Sequence, residues 1–167
     1  QRARLTGLSA ALTAHPRSLL APRVRNLDGL RSQTGRRYPT LANQALAALD
    51  PIGAFRYRPG YLSAAGIDAI DEAADAQPVD WVAGVALALP TELFLGVGGF
   101  DERFHMYFEE TDLQRRLCAR GIPTLLLPLE VSHVGGSSTD PGSREEWLLR
   151  SRFAYAAKWG HPRTLAA

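Results

Sequence analysis

One cysteine stands in 167 residues, so the chain makes no internal disulfide, and Cys118, placed in an amphipathic helix, is expected as a buried, inert thiol in a reducing compartment. No apolar run approaches the roughly 20 residues that a membrane-crossing helix needs. The first residues carry no hydrophobic stretch of signal-peptide type. The arginines form no stripe with interleaved aromatics, which argues against a nucleic-acid partner. No internal repeat or low-complexity tract is visible. There is no initiator methionine, and Gln1 to Ala14 reads as a helix entered in mid-stride, so the expectation is a piece of a longer protein.

What is present suits one domain with a real core: 46% of residues are hydrophobic and 22% charged, and 11 prolines argue against a coiled coil. The net charge is only +2. Arg17, Arg23, Arg25, Arg31, Arg36 and Arg37 nevertheless give the first third a basic bias. Such a bias suits a nucleotide diphosphate, a polyprenyl-phosphate lipid or an anionic membrane surface, and equally a solvated face.

The pattern along the chain predicts alternating strands and helices, hence an α/β domain with a mixed sheet. The opening helix stops at His15-Pro16, and Ser18 to Ala21 reads as a short strand before Pro22. Asn26-Leu27-Asp28-Gly29 is turn chemistry. Thr40 caps a short helix through Leu49. Asp50 to Pro78 reads as a long loop with a weak helix over Ile67 to Ala74. Val79 to Leu89 is the clearest strand, followed by a brief helix from Thr91 that the glycines at 96, 98 and 99 end. A helix from Glu109 stops at Gly121. Ile122 to Leu127 and Val131 to His133 are two further extended pieces, and Ser143 caps a last helix to about Trp159, with Gly160 and Pro162 as its stop.

Gly98 to Leu113 carries the most information. Glu109, Glu110 and Asp112 fall in a first helical turn, where the helix dipole and free N–H groups favour acids in any case. Phe104, Met106, Tyr107 and Phe108 lead into them without the polar loop of a solvated helix start, so the turn is expected to pack into the domain, and buried acids need partners or a task.

Trp81-Val82-Ala83-Gly84, then Gly98-Gly99-Phe100-Asp101-Glu102, then Glu109-Glu110-Thr111-Asp112-Leu113, then His133-Val134-Gly135-Gly136-Ser137-Ser138 together resemble the C-terminal half of a family 2 glycosyltransferase of the rhamnosyltransferase-like group. Pro22-Arg23-Val24, Asn26 to Gly29 and Gly35 to Pro39 resemble its middle section, so the resemblance covers about residues 10 to 160. It implies a GT-A-like mixed-sheet fold of which residues 1–167 form the acceptor-side part. The donor-binding N-terminal half is expected to be missing, since neither an Asp-x-Asp nor a Gly-rich phosphate loop precedes the middle section.

The activity so implied is inverting transfer of a sugar, rhamnose among the candidates, from a nucleotide diphosphate to a glycan or polyprenyl-linked acceptor in cell-wall or surface-polysaccharide synthesis. It implies Mg²⁺ or Mn²⁺ as cofactor and a cytoplasmic place, with peripheral contact at the inner face of the plasma membrane allowed. Such transfer needs a carboxylate that takes the acceptor proton. The family motif is Glu-Asp-x-Asp with the second acid as base. That position is Glu110, one methylene longer than the usual Asp. Asp112 is the second candidate and Glu109 a capping or acceptor-orienting group. Trp81, Gly84, Gly99 and Asp101 are implied in substrate binding, and His133 in the metal-diphosphate site. A structural role stays open for each: a core tryptophan, capping acids, a strand-end histidine. The competing class is a degenerate, non-catalytic remnant that binds a glycan or a protein. Hydrolysis by a carboxylate pair ranks last, because neighbouring acids on one turn do not span a cleft.

Overall fold

The computed structural model describes residues 2–25, 31–32, 35–48, 60–67, 69–133 and 141–160. Helix α1 (Arg2–Ala14) leads into strand β1 (Leu19–Arg25), short strands β2 (Arg31–Ser32) and β3 (Gly35–Arg36), and helices α2 (Leu41–Ala48) and α3 (Tyr61–Ala64). Strands β4 (Gln77–Val79) and β5 (Trp81–Val82), helices α4 (Thr91–Gly96) and α5 (Glu109–Cys118), strand β6 (Thr124–Ser132) and helix α6 (Pro141–Trp159) complete the order. The fold is mixed α/β. One sheet runs β2-β1-β6-β4, with β6 parallel to β1 and antiparallel to β4, and β3 pairs with β5 in a separate ribbon.

Parallel strands buried on both faces read as unbroken apolar runs, and β1 and β6 are of this kind. Alternate side chains serve opposite faces. Leu19, Ala21 and Leu126 pack with Val82, Leu113, Leu117 and Ile122 on the α5 side. Leu20, Leu125 and Leu127 pack with Leu8, Ala11 and Leu12 of α1 on the other. The result is a three-layer arrangement with α5 held flat against one face of the sheet.

Several boundaries differ from the sequence reading, each for a local reason. Pro22 does not end β1; the register shifts between Pro22 and Arg23, and the irregularity absorbs the missing amide donor. The two extended pieces after Gly121 are one strand, β6. The expected strand Val79 to Leu89 breaks up: β4 and β5 join different partners, and beyond Val82 the chain meets β1 through a single bridge, Leu20 to Ala88. The helix expected over Ile67 to Ala74 does not form. Asp71 Oδ1 accepts from Ala73 N at 3.0 Å and Gln77 Oε1 from Asp71 N at 2.9 Å, and such side-chain bonds compete with a helix for the same amides.

Other signals hold. Thr40 and Asn43 form a reciprocal cap on α2, at 2.8 and 3.2 Å. Gly121, at φ 71°, closes α5 with Ile122 N donating to Leu117 O and Gly121 N to Cys118 O. Helix α6 starts at Pro141 rather than at Ser143, a favoured first helical residue, and ends at Gly160. Cys118 is exposed, not buried: it lies one residue, about 100° of helix, beyond the inward Leu117. Asn26 to Gly29, Asp50 to Pro59 and Pro162 lie outside the described residues. Among the described residues no helix is long and apolar enough to cross a membrane.

Candidate functional site

Helix α5 builds the site by sending its polar residues two ways. Residues two apart on a helix diverge by about 200°, so Glu110 and Asp112 face different surroundings, while each shares a face with the residue four further on. One pair is Glu110 with Gln114, turned to β5. The other is Asp112 with Arg116, turned to the Gly98-Gly99 loop and the end of α6.

The entry to α5 is strained. Tyr107 and Phe108 take left-handed φ values of 67° and 68°, and Phe108 occupies the cap position without a side-chain cap bond. Each such residue costs on the order of 1–2 kcal/mol. Packing holds the turn in place: Phe108 lies on Tyr155 with ring centroids 5.2 Å apart, and the Ser151 hydroxyl donates to Met106 O at 2.7 Å.

On the β5 side, fully buried Gln114 clamps the strand to the helix. Its Oε1 accepts from Val82 N at 2.8 Å, and its Nε2 donates to Val82 O at 2.9 Å and to Glu110 O at 2.8 Å. The amide thus stands where a neighbouring strand would, which is why β5 stops at Val82. It also fixes Ala83 and Gly84 beside Glu110. A Cβ on Gly84 would lie 3.5 Å from Glu110 Cβ and Cγ, so the glycine backbone runs directly along the acid.

Burial pushes the Glu110 carboxyl up to about 7 from its ordinary 4.5, and the neighbouring Glu109 charge adds to the shift. Backbone N–H groups of Glu110, Gly84 and Thr111 pull the other way. One oxygen of each acid, Glu109 Oε2 and Glu110 Oε2, is buried with no hydrogen-bond partner among the described residues. Trp81 flanks this place. Its Nε1 donates to Arg37 O at 2.8 Å, and the Arg36 guanidinium stands 5.6 Å from its ring centroid. Burial lowers the Arg36 pKa, whereas the Glu110 charge favours its protonated form.

The other face is a closed ionic cluster. Asp112 is fully buried, with Arg116 Nε at 2.8 Å from Oδ2, and Lys158 Nζ at 2.7 Å and Trp159 Nε1 at 2.6 Å from Oδ1. Lys158 also reaches Asp101 Oδ2 at 2.7 Å, and Arg103 reaches the same oxygen at 2.6 Å. Arg103, with Lys158 behind it, holds the Asp101 carboxyl far below the usual carboxylate range. Arg116 then donates to Val97 O at 2.5 Å and Gly99 O at 2.7 Å. Gly98 and Gly99 have φ values of 86° and 68°, and a Cβ on Gly99 would lie 3.4 Å from the Phe94 ring.

The structure therefore brings Trp81, Gly84, Glu109 and Glu110 together and places Gly99, Asp101 and Asp112 in a separate, internally satisfied cluster. His133 belongs to neither. It follows β6, where its N–H donates to Arg25 O at 2.9 Å. The other end of that strand, Thr124, touches Gln114 at 3.3 Å. Nine residues of extended chain, about 30 Å, separate His133 from Thr124.

Two proteins align with the chain along nearly its whole length. Each is named N-acetylglucosaminyl-diphospho-decaprenol L-rhamnosyltransferase, from two strains of Mycobacterium tuberculosis, and each is 33% identical over 157 residues, 92% of this chain. This likeness supports a rhamnosyltransferase-like glycosyltransferase reading of the chain. It spans half the length of these curated relatives. No protein-family model matches it.

For a rhamnosyltransferase-like chain, a divalent cation and its oxygen ligands are a natural expectation. Among the described residues no group of three or more His, Cys, Asp or Glu side chains is placed to hold a metal ion. The acids of the second cluster are neutralised by Arg and Lys, so this donor set does not fit a divalent ion.

Sequence reading missed Gln114, Arg116 and Lys158, and named Arg36 only as part of a basic bias. Two of them had a legible signal, the i,i+4 spacings Glu110–Gln114 and Asp112–Arg116. Arg36 and Lys158 reach the acids only through tertiary folding.

Proposed function

We propose that the chain is the acceptor-side part of an inverting family 2 glycosyltransferase of GT-A fold, with Glu110 as general base. One observation carries this reading: a buried carboxyl near pH 7 with an oxygen left without a partner. A cap or an ion pair would be satisfied, as Asp112 is. A base tuned to the working pH with an unused acceptor oxygen is what proton abstraction asks for.

The ionised Glu110 takes the proton of the acceptor hydroxyl as that oxygen bonds to the anomeric carbon of the donor sugar. The bond from that carbon to the nucleotide diphosphate breaks, and the electron pair leaves on the phosphate oxygen. Glu109 orients the acceptor and keeps Glu110 basic; Trp81 offers an apolar face to a sugar ring. Asp112 and Asp101 position the helix and loop from behind. The relatives' names supply rhamnose as the proposed sugar and a polyprenyl-diphosphate-linked sugar as the proposed acceptor; a nucleotide diphosphate as the donor's leaving group is proposed from the resemblance of the motifs. Mg²⁺ or Mn²⁺ would need most of its ligands from outside the described residues, with His133 the contribution proposed from this chain. On the same reading we propose the cytoplasmic face of the membrane as the place of the reaction.

The test is transfer of labelled rhamnose from its dTDP donor to a short-chain N-acetylglucosaminyl diphosphate lipid. Glu110→Gln should lower kcat by roughly 100- to 10,000-fold. Transfer by the variant at the native rate would sink the assignment.

A further inference from the structure

Beside Glu110 lies a pocket of about 240 Å³ whose walls include Arg36, Arg37, Arg152, Trp81, Phe108 and Leu148. Three guanidinium-bearing residues set among aromatic and aliphatic walls suit a ligand that carries both an anionic group and an apolar one. We propose that this pocket binds the diphosphate and first isoprene unit of a polyprenyl diphosphate, the carrier end of the acceptor; this rests on the transferase reading above.

The pocket is built, not incidental. Arg36 and Arg37 come from β3 and the residue after it, and Trp81 pairs with Arg36 across the β3–β5 ribbon. Arg37 N donates to Gly66 O at 2.8 Å, and Gly66, at φ 74°, leaves no room for a side chain, since a Cβ would meet Asn43 Nδ2 at 2.7 Å. Arg152 and Leu148, four residues apart, present one face of α6 to the same space. Arginine forks match phosphate oxygens in pairs, and a diphosphate offers enough of them to engage more than one guanidinium.

Size and surroundings favour the lipid carrier over the donor nucleotide. The volume falls below the roughly 300–1,000 Å³ of pockets that enclose a drug-sized ligand, so the pocket matches a diphosphate with a short apolar piece better than a whole nucleoside diphosphate. A longer apolar tail has somewhere to go: Leu149 and Phe153, next round α6 from Leu148 and Arg152, are each 55% exposed. Phe108 and Trp81 also connect the pocket to Glu110, two residues along from the first and beside the Gly84 segment of the second. A sugar carried on the bound diphosphate is thereby presented to the base.

Calorimetric titration of the chain tests this with three probes, farnesyl diphosphate, isopentenyl diphosphate and dTDP, each below the concentration at which it self-associates. Farnesyl diphosphate should bind, and Arg36→Gln and Arg152→Gln should each weaken it roughly tenfold to a hundredfold. Leu149→Ser with Phe153→Ser should weaken farnesyl but not isopentenyl diphosphate. The circular dichroism melt of each variant establishes that it folds; Arg152 and Phe153 are exposed and removable without loss of core. Absence of farnesyl diphosphate binding, indifference to Arg152→Gln, or dTDP binding as tightly and with the same arginine dependence would overturn the proposal. Glu110→Gln separates the two readings: it should leave prenyl diphosphate binding in place while abolishing transfer. Retained transfer in Glu110→Gln counts against the base, and normal binding in the arginine variants counts against the pocket alone.

Discussion

Glu110→Gln should make the protein more stable at alkaline pH while removing its activity. A carboxyl whose folded pKa lies above its unfolded value binds its proton more tightly in the folded state. Its stabilising contribution is complete below the unfolded value of 4.5 and is lost as pH rises through about 7. Well above pH 7 the folded chain carries a buried charge that the unfolded chain would leave in water, a cost of up to about 3 kcal/mol. Glutamine keeps the size and hydrogen-bonding reach of the side chain and carries no charge. The variant should therefore exceed the native protein by only about 1 kcal/mol at pH 5 and by up to about 3 kcal/mol at pH 9. At roughly 2–4 °C per kcal/mol, that is a gain of up to about 6–12 °C in melting temperature at pH 9. Thermal unfolding followed by circular dichroism from pH 5 to pH 9 reads the difference directly. A variant less stable than the native protein across that range would refute the reasoning, since it would mean that the ionised acid is satisfied and stabilising, as a cap would be.

Three other substitutions probe the frame around that acid. Asp112→Asn strips the charge from a buried site that Arg116 and Lys158 share and should cost about 3–5 kcal/mol in urea unfolding; a loss under 1 kcal/mol would show that the cluster is dispensable. Gln114→Leu leaves both polar groups of Val82 without their partner and should destabilise by about 2–4 kcal/mol. It should also loosen Gly84 from Glu110, seen as faster amide exchange at Val82 and Gly84. Gly99→Ala forces a side chain into a left-handed position against Phe94 and should cost about 1–2 kcal/mol by the same unfolding assay.

The parts of the fold that were legible in the sequence are those set by local chemistry. The Thr40 cap, the Gly121 stop, the first-turn acids of α5 and the apolar runs of β1 and β6 each depend on a few neighbouring residues. What was not legible depends on distant ones. The apolar stretch from Val79 looks like a strand, yet Gln114, 32 residues from Val82, supplies the hydrogen bonds that a strand partner would have made. Pro22 looks like a stop, but pairing on both sides and a register shift carry β1 past it. Among the acids, spacing showed that Glu110 and Asp112 share a turn; it did not show that Lys158 and Trp159 close around one of them while the other keeps a buried oxygen bare. Cys118 was misplaced because the helix pattern fixes the inward face of Leu113 and Leu117, and the next residue turns about 100° away from it to an exposed position.

The pH dependence of rhamnosyl transfer, measured as kcat/KM in the native protein and in Glu110→Gln, tests the central claim most directly. The account predicts a rate that rises through about pH 7 as Glu110 ionises and a rising limb that is absent from the variant. A native profile flat from pH 5 to pH 9, or a variant that keeps both the limb and the rate, would contradict it.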